Sequence, residues 1–502
     1  MDINSLPIVS VITVNYNGKT YLKNLFESLN CLDYPKEKIQ IIMVDNASAD
    51  DSVRFTRENF PFVEIIACRS NTGFAEGNNI GIRHAKGELI AIINNDCVAD
   101  SKWLISMVET LADKEKELKV CGDKECRVGA VGSKIFFYYR YYPLNIYFGA
   151  DNEKYGSQDI FYGEINKIEL KNTNTSDISR IIHKSEKNIN NESEDSRLLL
   201  QRSIRYLKGV VPAGKNKNGD TVYKLGRESL IAIPVTDNNS GISLKIDFSG
   251  LAAGETININ IAGKDYFSES IGKDRKTITL DIPGSELPSP EYIINSMGSM
   301  LNKKFYAKEI AYEKFDNMYG STEEDISTIQ HIDKITEVFA IPGTGFLCRK
   351  SVLDSTGFFD KKFFTYYEDI DFFWRLKLAG YRNYICTDSV LRHFHCGSGK
   401  EWSYSFTYHV LRNRLLMIYK CAWFKAFLKN YLSFTANAFI SLGYGIIMKI
   451  RKRAVSRPDI PIRIKIFFEF FILLFQKMPD RIKTRKNAII TDKEIIKWLK
   501  DF

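Results

Sequence analysis

The chain lacks several things that would place it quickly. Its first residues, MDINSLPIVS, carry neither a basic n-region nor an apolar h-region, so no secretory signal is expected. No stretch of about 20 predominantly apolar residues stands ready to span a bilayer. The charge-free run 431–448 comes nearest, but Ser433, Thr435, Asn437 and Ser441 interrupt it, and an in-plane amphipathic helix is the better expectation. The nine cysteines are odd in number and scattered. Cys121 and Cys126 are the closest pair, without His or Cys partners at zinc-finger spacing, so reduced thiols of a cytosolic protein are expected. A dinucleotide fingerprint is missing too. GTGFLC has no third glycine and no distal acid, which removes the dehydrogenase reading.

What is present begins with length and charge. A chain of 502 residues, 44% hydrophobic and 26% charged, holds two or three domains with real cores. Its net charge of +9 is uneven. Residues 400–502 hold 21 Lys/Arg against 7 Asp/Glu, or +14, which leaves −5 for the rest. A basic tail can meet nucleic acid or an anionic membrane surface. This one is also rich in Phe, Ile and Leu, so the membrane is expected and nucleic acid is not.

Apolar β-branched runs alternate with helical spacing at the start. IVSVITV, IQIIMVD, FVEIIAC and ELIAII read as buried strands, and KTYLKNLFESLN reads as a helix with Leu22, Leu25, Phe26 and Leu29 on one face. This predicts a doubly wound α/β sheet. Polar residues gather where the strands end, at Asn15, Asp45, Asn71 and Asp96, outlining a ligand crevice. After Tyr142 the pattern changes. Residues 170–200 are polar, and SLIAIPV, ISLKIDF, TININIAG and KTITLDIPG are short alternating runs split by Gly, Asn and Asp. They predict a small all-β, sandwich-like domain inserted at 150–290. The α/β pattern resumes with EVFAIPGTGFLCRKSVL. A helix starts near Glu368 with acids in its first turn, and Gly380 fits its C-cap. The expected division is 1–149, 150–290, 291–415 and a helical 416–502.

Three short stretches carry chemistry. INNDCVAD closes an apolar strand with Asn94, Asn95 and Asp96, hard oxygen donors suited to a cation and a diphosphate. YYEDID places Glu368, Asp369 and Asp371 at a helix start, where acids are favoured for local reasons alone. RHFHC offers His393 and His395 in a chain with six histidines.

Taken in order, VSVITVNYNG, IIMVDNASAD, NTGFAEGNNIGI, INND, GTGFLCRKSVLDSTGFFDKKFFTYYEDIDFFWRLKLAGYR and VLRHFHCGSG resemble family 2 glycosyltransferases of the GT-A fold. The likeness is strongest to a rhamnosyltransferase-like subgroup, and it covers roughly 8–145 and 295–420. It implies an inverting transferase that uses a nucleotide-diphosphate sugar, dTDP- or UDP-linked, with rhamnose among the candidates. Its acceptor would be a lipid-linked or polysaccharide glycan of the cell surface. It implies that Asn15, Tyr16 and Asp45 hold the nucleotide, Asp45 accepting the N–H of uracil or thymine. Asn71, Gly73, Asn78, Asn79, Asn94 and Asn95 would meet sugar or diphosphate. Asp96 matches the last aspartate of the family's metal motif, although Asn94 stands where the first is usual. His393, with His395 as second choice, would complete a Mg²⁺ or Mn²⁺ site. Asp369 matches the catalytic base, with Glu368, Asp371 and Trp374 on the acceptor side. The expected seat is peripheral, at the cytoplasmic face of the membrane. A non-catalytic sugar-binding scaffold stays open as a rival. So does a processive synthase, although the Q-x-x-R-W motif common in processive members is absent.

Overall fold

The run VSVITVN forms strand β1 (Val9–Asn15) because nearly every side chain in it is buried, as in a sheet covered on both faces. This computed structural model describes residues 5–120, 127–149, 162–172, 204–215, 221–235, 241–251, 254–270, 272–316, 334–395, 403–450 and 460–502. Cys121, Cys126 and residues 173–200 lie outside them. Helix α1 (Lys19–Asn30) follows, then β2 (Ile39–Asp45), α2 (Ser52–Asn59), β3 (Val63–Ala67), α3 (Gly73–His84), β4 (Leu89–Ile93), β5 (Cys97–Ala99) and α4 (Trp103–Val120). Strands β1, β2, β3 and β4 are parallel, in the order β3-β2-β1-β4. β6 (Arg127–Phe148) comes next.

Two units divide the chain. One runs Phe137–Ile293 with a short return segment from Glu313; the other holds the remainder, including the C-terminal helices. In the first, strands β7 (Gly163–Asn172), β8 (Arg205–Lys215), β9 (Thr221–Pro234), β10 (Ile242–Ser249), β11 (Thr256–Ile261), β12 (Lys264–Ser270) and β13 (Lys276–Ile282) pair antiparallel. Its core is the inward set of the alternating runs, among them Leu144, Ile146, Ile168, Leu244, Ile246, Ile259 and Ile278. Outward positions of β13 are exposed, which is the period of two read in the sequence.

The other unit resumes with β14 (Glu291–Ser296), β15 (Ser299–Asn302), β16 (Ala307–Glu309), β17 (Ile335–Val338), β18 (Gly345–Arg349), α5 (Lys350–Thr356), α6 (Glu368–Leu378) and β19 (Tyr381–His393). β18 lies antiparallel to β4, and β19 antiparallel to β5 and β17. The α/β sheet is therefore mixed, an addition to the parallel arrangement expected. Helix α6 opens at Glu368 and ends at Leu378, with Ala379 as its cap and Gly380 next in a left-handed conformation.

The tail forms α7 (Tyr404–Cys421), α8 (Phe424–Ile450), α9 (Ile460–Lys486), α10 (Asp492–Trp498) and β20 (Leu499–Lys500). It is not a separate appendage. β20 pairs with β15, Lys420 bonds Asp360 and Asp371, and Lys477 bonds Asp360. Among the described residues no helix is long and apolar enough to cross a membrane. Helices α8 and α9 nevertheless leave large apolar side chains in solvent, including Leu432, Ile440, Phe468, Phe471 and Phe475.

Candidate active site

The crevice is built first by the carboxyl ends of β1, β2 and β4. Asn15 donates to Asp45 Oδ1 at 2.9 Å, and Asn95 donates to Asn15 Oδ1 at 2.8 Å. Ser48 adds its backbone N–H at 2.9 Å and its hydroxyl at 2.6 Å to the Asp45 carboxylate. Asp45 thus accepts three bonds while buried, and a carboxylate has about four acceptor positions. Gly18 is required beside it, since a Cβ there would meet Asn95 at 2.2 Å and Asn15 at 2.7 Å. Tyr16 and Asn71 are exposed at the rim, where Asn71 accepts the N–H of Gly73 at 2.9 Å.

Strand pairing then unites residues far apart in sequence. β5 and β19 run antiparallel with His393 opposite Cys97, and Phe394 N–H donates to the Asp96 carbonyl at 2.9 Å. His393 Nε2 consequently lies 3.1 Å from Asp96 Oδ1, and Nδ1 lies 3.1 Å from Asn295 Oδ1. All three side chains are buried. Asp96, Cys97 and His393 bring one ligand atom each within 4.8 Å of one another. Burial pushes the Cys97 thiol well up, and the Asp96 charge adds to this. His395 sits beside His393, ring centroids 5.6 Å apart, outside that group.

A divalent ion fits the residues present. Octahedral oxygen ligands at about 2.1 Å stand about 3.0 Å apart along an edge, close to the 3.1 Å between Asp96 and His393. The buried Asn94 Oδ1 has no hydrogen-bond partner in the described structure, an acceptor waiting for one. Asp96 and His393 would hold the ion.

Asp369 lies on the other side of the loop 342–344. Its Oδ2 accepts from Gly343 N–H at 2.9 Å and its Oδ1 from Ile370 N–H at 2.7 Å, while Asn94 N–H donates to the Thr344 carbonyl at 3.0 Å. Burial pushes the Asp369 carboxyl up, against those backbone bonds. Glu309, missed in the sequence, takes hydroxyl bonds from Ser296 and Ser299. Burial, and then the Asp369 charge, push its carboxyl up to about 7. Burial and Asp369 also push Glu368 well up, and its buried Oε2 has no partner in the described structure.

Four expected site residues have other work. Trp374 is fully buried between Phe305 and Phe339, so it cannot stack on an acceptor. Asp371 is fully buried and ion-paired with Arg375 and Lys420 at 2.9 Å each. Asn79 bonds Glu76 and the Phe359 carbonyl. Gly73, at φ +81, is pressed on by Phe364, which a Cβ would meet at 2.5 Å; the close approach is to protein rather than ligand. Asn78 donates to the Phe74 carbonyl and leaves its Oδ1 buried without a partner in the described structure, so it keeps one capacity for a ligand.

Residues 10–155 match the family model described as Glycosyl transferase family 2. The glycosyltransferase AglE of Haloferax volcanii is 29% identical over 112 residues, 22% of this chain and 37% of that one. The Bacillus subtilis relative EpsH is 31% identical over 121 residues, 23% and 33% respectively. The chain thus spans about a third of the length of these relatives. A solved mannosyltransferase of Pyrobaculum calidifontis, in complex with GDP-Man and Mn²⁺, is 28% identical with a TM-score of 0.23, covering 26% of this chain and 36% of that one. Residues 10–155 are thus similar to family 2 glycosyltransferases, and the matched relative AglE is itself a glycosyltransferase.

Proposed function

We propose that this protein is an inverting, cation-assisted glycosyltransferase that moves a sugar from a nucleotide-diphosphate donor to a surface-glycan acceptor. The observation that carries the reading is the convergence of Asp96 and His393 on one side, and of Asp369 on the other, around the ends of β1, β2 and β4. Asp369 takes the proton of the acceptor hydroxyl as that oxygen bonds to the anomeric carbon and the bond to the diphosphate breaks. Its desolvated carboxylate gains from accepting a proton, and two backbone N–H groups hold it in place. The cation, when bound, offsets charge on the departing diphosphate. Asp45 suits a pyrimidine N–H, hence a UDP- or dTDP-linked donor, with dTDP-rhamnose to be tested first.

A lipid-linked or polysaccharide acceptor follows from a seat at the cytoplasmic face of the membrane. Helices α8 and α9 support that seat, with exposed Phe468, Phe471 and Phe475 in a tail of net +14. Each Lys or Arg near an anionic leaflet contributes about 1 kcal/mol. The tail packs into the α/β unit, so point changes test the seat better than truncation. Phe468→Ser with Phe471→Ser and Phe475→Ser should abolish flotation with anionic vesicles; unchanged flotation would reject it.

For the activity, UDP, dTDP and GDP sugars are screened with Mn²⁺ for protection against thermal unfolding, then for release of the nucleoside diphosphate. A shift by a pyrimidine donor and turnover on addition of a glycan lipid are expected. No shift and no turnover with any donor would overturn the reading in favour of a scaffold.

A further inference from the structure

We propose that Asn295 is a positioning residue of the cation site, fixing which nitrogen of His393 carries the proton; this rests on the cation reading above. Asn295 sits on β14, and its Oδ1 lies 3.1 Å from His393 Nδ1. An amide oxygen only accepts, so the Nδ1 proton must point at it. In the neutral ring the lone pair is then on Nε2, the nitrogen that faces Asp96 Oδ1 at 3.1 Å. A lone pair opposite a carboxylate at that distance is repulsive unless a cation lies between them or Nε2 also gains a proton. Asn295 therefore leaves Nε2 as the ring nitrogen that can share an ion with Asp96, and the ring need not turn when the ion enters.

Its surroundings make this bond hard to replace. Asn295 and His393 are buried, and exposed solvent cannot substitute for a lost partner at Nδ1. A ring freed of Asn295 can put its proton on Nε2 instead and donate it to Asp96, which closes the site to a cation. Partners of this kind typically change metal affinity by about 10–100-fold.

The experiment measures Mn²⁺ uptake by the full chain, with Mn²⁺ alone as probe, from the loss of the free-ion resonance signal. Asn295→Ala should weaken uptake by about 10–100-fold. Asn295→Asp keeps an acceptor at the same place and should stay within about threefold of wild type on the same grounds. Thermal unfolding in chelator shows whether each variant is folded. His393→Ala separates the two readings. If it binds Mn²⁺ as wild type does, or wild type binds none, the cation reading fails and this proposal with it. If His393→Ala is weak but Asn295→Ala binds within twofold of wild type, only the positioning role is overturned. Asn295→Asp as weak as Asn295→Ala would also overturn it, because an acceptor would then not be what the ring needs.

Discussion

Two aspartates one turn-step apart, Asp369 and Asp371, occupy opposite sides of the start of α6 and have opposite surroundings. Asp371 faces inward to Arg375, Lys420 and the thiol of Cys421, with no exposure at all. Asp369 faces the crevice, held among the described residues by backbone N–H groups and near a second acid, Glu309. A charge matched by buried cations holds the tail against α6. A charge left without one is ready to take a proton. Side-chain type does not separate the two roles; the counter-charge does.

That contrast can be broken in four ways, largest effect first. Asp369→Asn should cut transfer by about 10²–10⁴-fold while leaving thermal stability equal or higher, since it removes a charge that burial disfavours. Transfer within tenfold of wild type would end its assignment as base. Asp371→Asn takes the shared carboxylate from Lys420 and Arg375, while Asp360 still pairs Lys420, and should cost about 1.5–3 kcal/mol in urea unfolding, the range for a lost charged hydrogen bond. A loss below about 1 kcal/mol would show that the ion pairs are dispensable.

Glu309→Gln sharpens the comparison through pH. With its carboxyl raised to about 7, folded Glu309 keeps a proton that the unfolded chain releases near 4.5. More protons on the folded state mean that stability falls as pH rises from about 4.5 to 7. The Gln variant should lose that slope when melting temperature is measured across this window. Equal slopes would show that Glu309 is ionised throughout. The smallest effect is Lys477→Met. Burial pushes Asp360 up, but Lys420 and Lys477 together hold it well below the carboxylate range. Lys420 remains in the variant, so about 1–2 kcal/mol is expected from the lost charged bond, read in the same urea titration.

Much of the fold was legible. β1, β2 and β4 announced themselves as β-branched runs, and their polar ends marked the crevice, because burial on both faces leaves no other use for such runs. The boundary of the all-β unit was less clear. β6 runs unbroken from Arg127 to Phe148, so nothing in RVGAVGSKIFFYYRYYPLNIYF marks the change at Phe137. Motifs pointed to Asp96, His393 and Asp369, and strand pairing brings the first two within 3.1 Å of each other. Trp374 and Asp371 were misplaced because an acidic, aromatic helix start reads alike whether it faces a crevice or a core. Asn295 and Glu309 were missed for a different reason. Each is one polar residue in a short strand: Asn295 meets His393 only through packing against β19, and Glu309 takes bonds from Ser296 and Ser299 and lies near Asp369 of α6.

The pairing of β5 with β19 also has a kinetic side. Asp96 and His393 are 297 residues apart, and the all-β unit lies within that loop. Closing so long a loop slows folding more than it weakens the product, because closure entropy grows only with the logarithm of length, about 0.6 kcal/mol per doubling. A segment that folds early shortens the stretch still to be closed. The Asp96–His393 pair should therefore form late in refolding, after the sheets, and a nascent chain cannot complete it before His393 has been made.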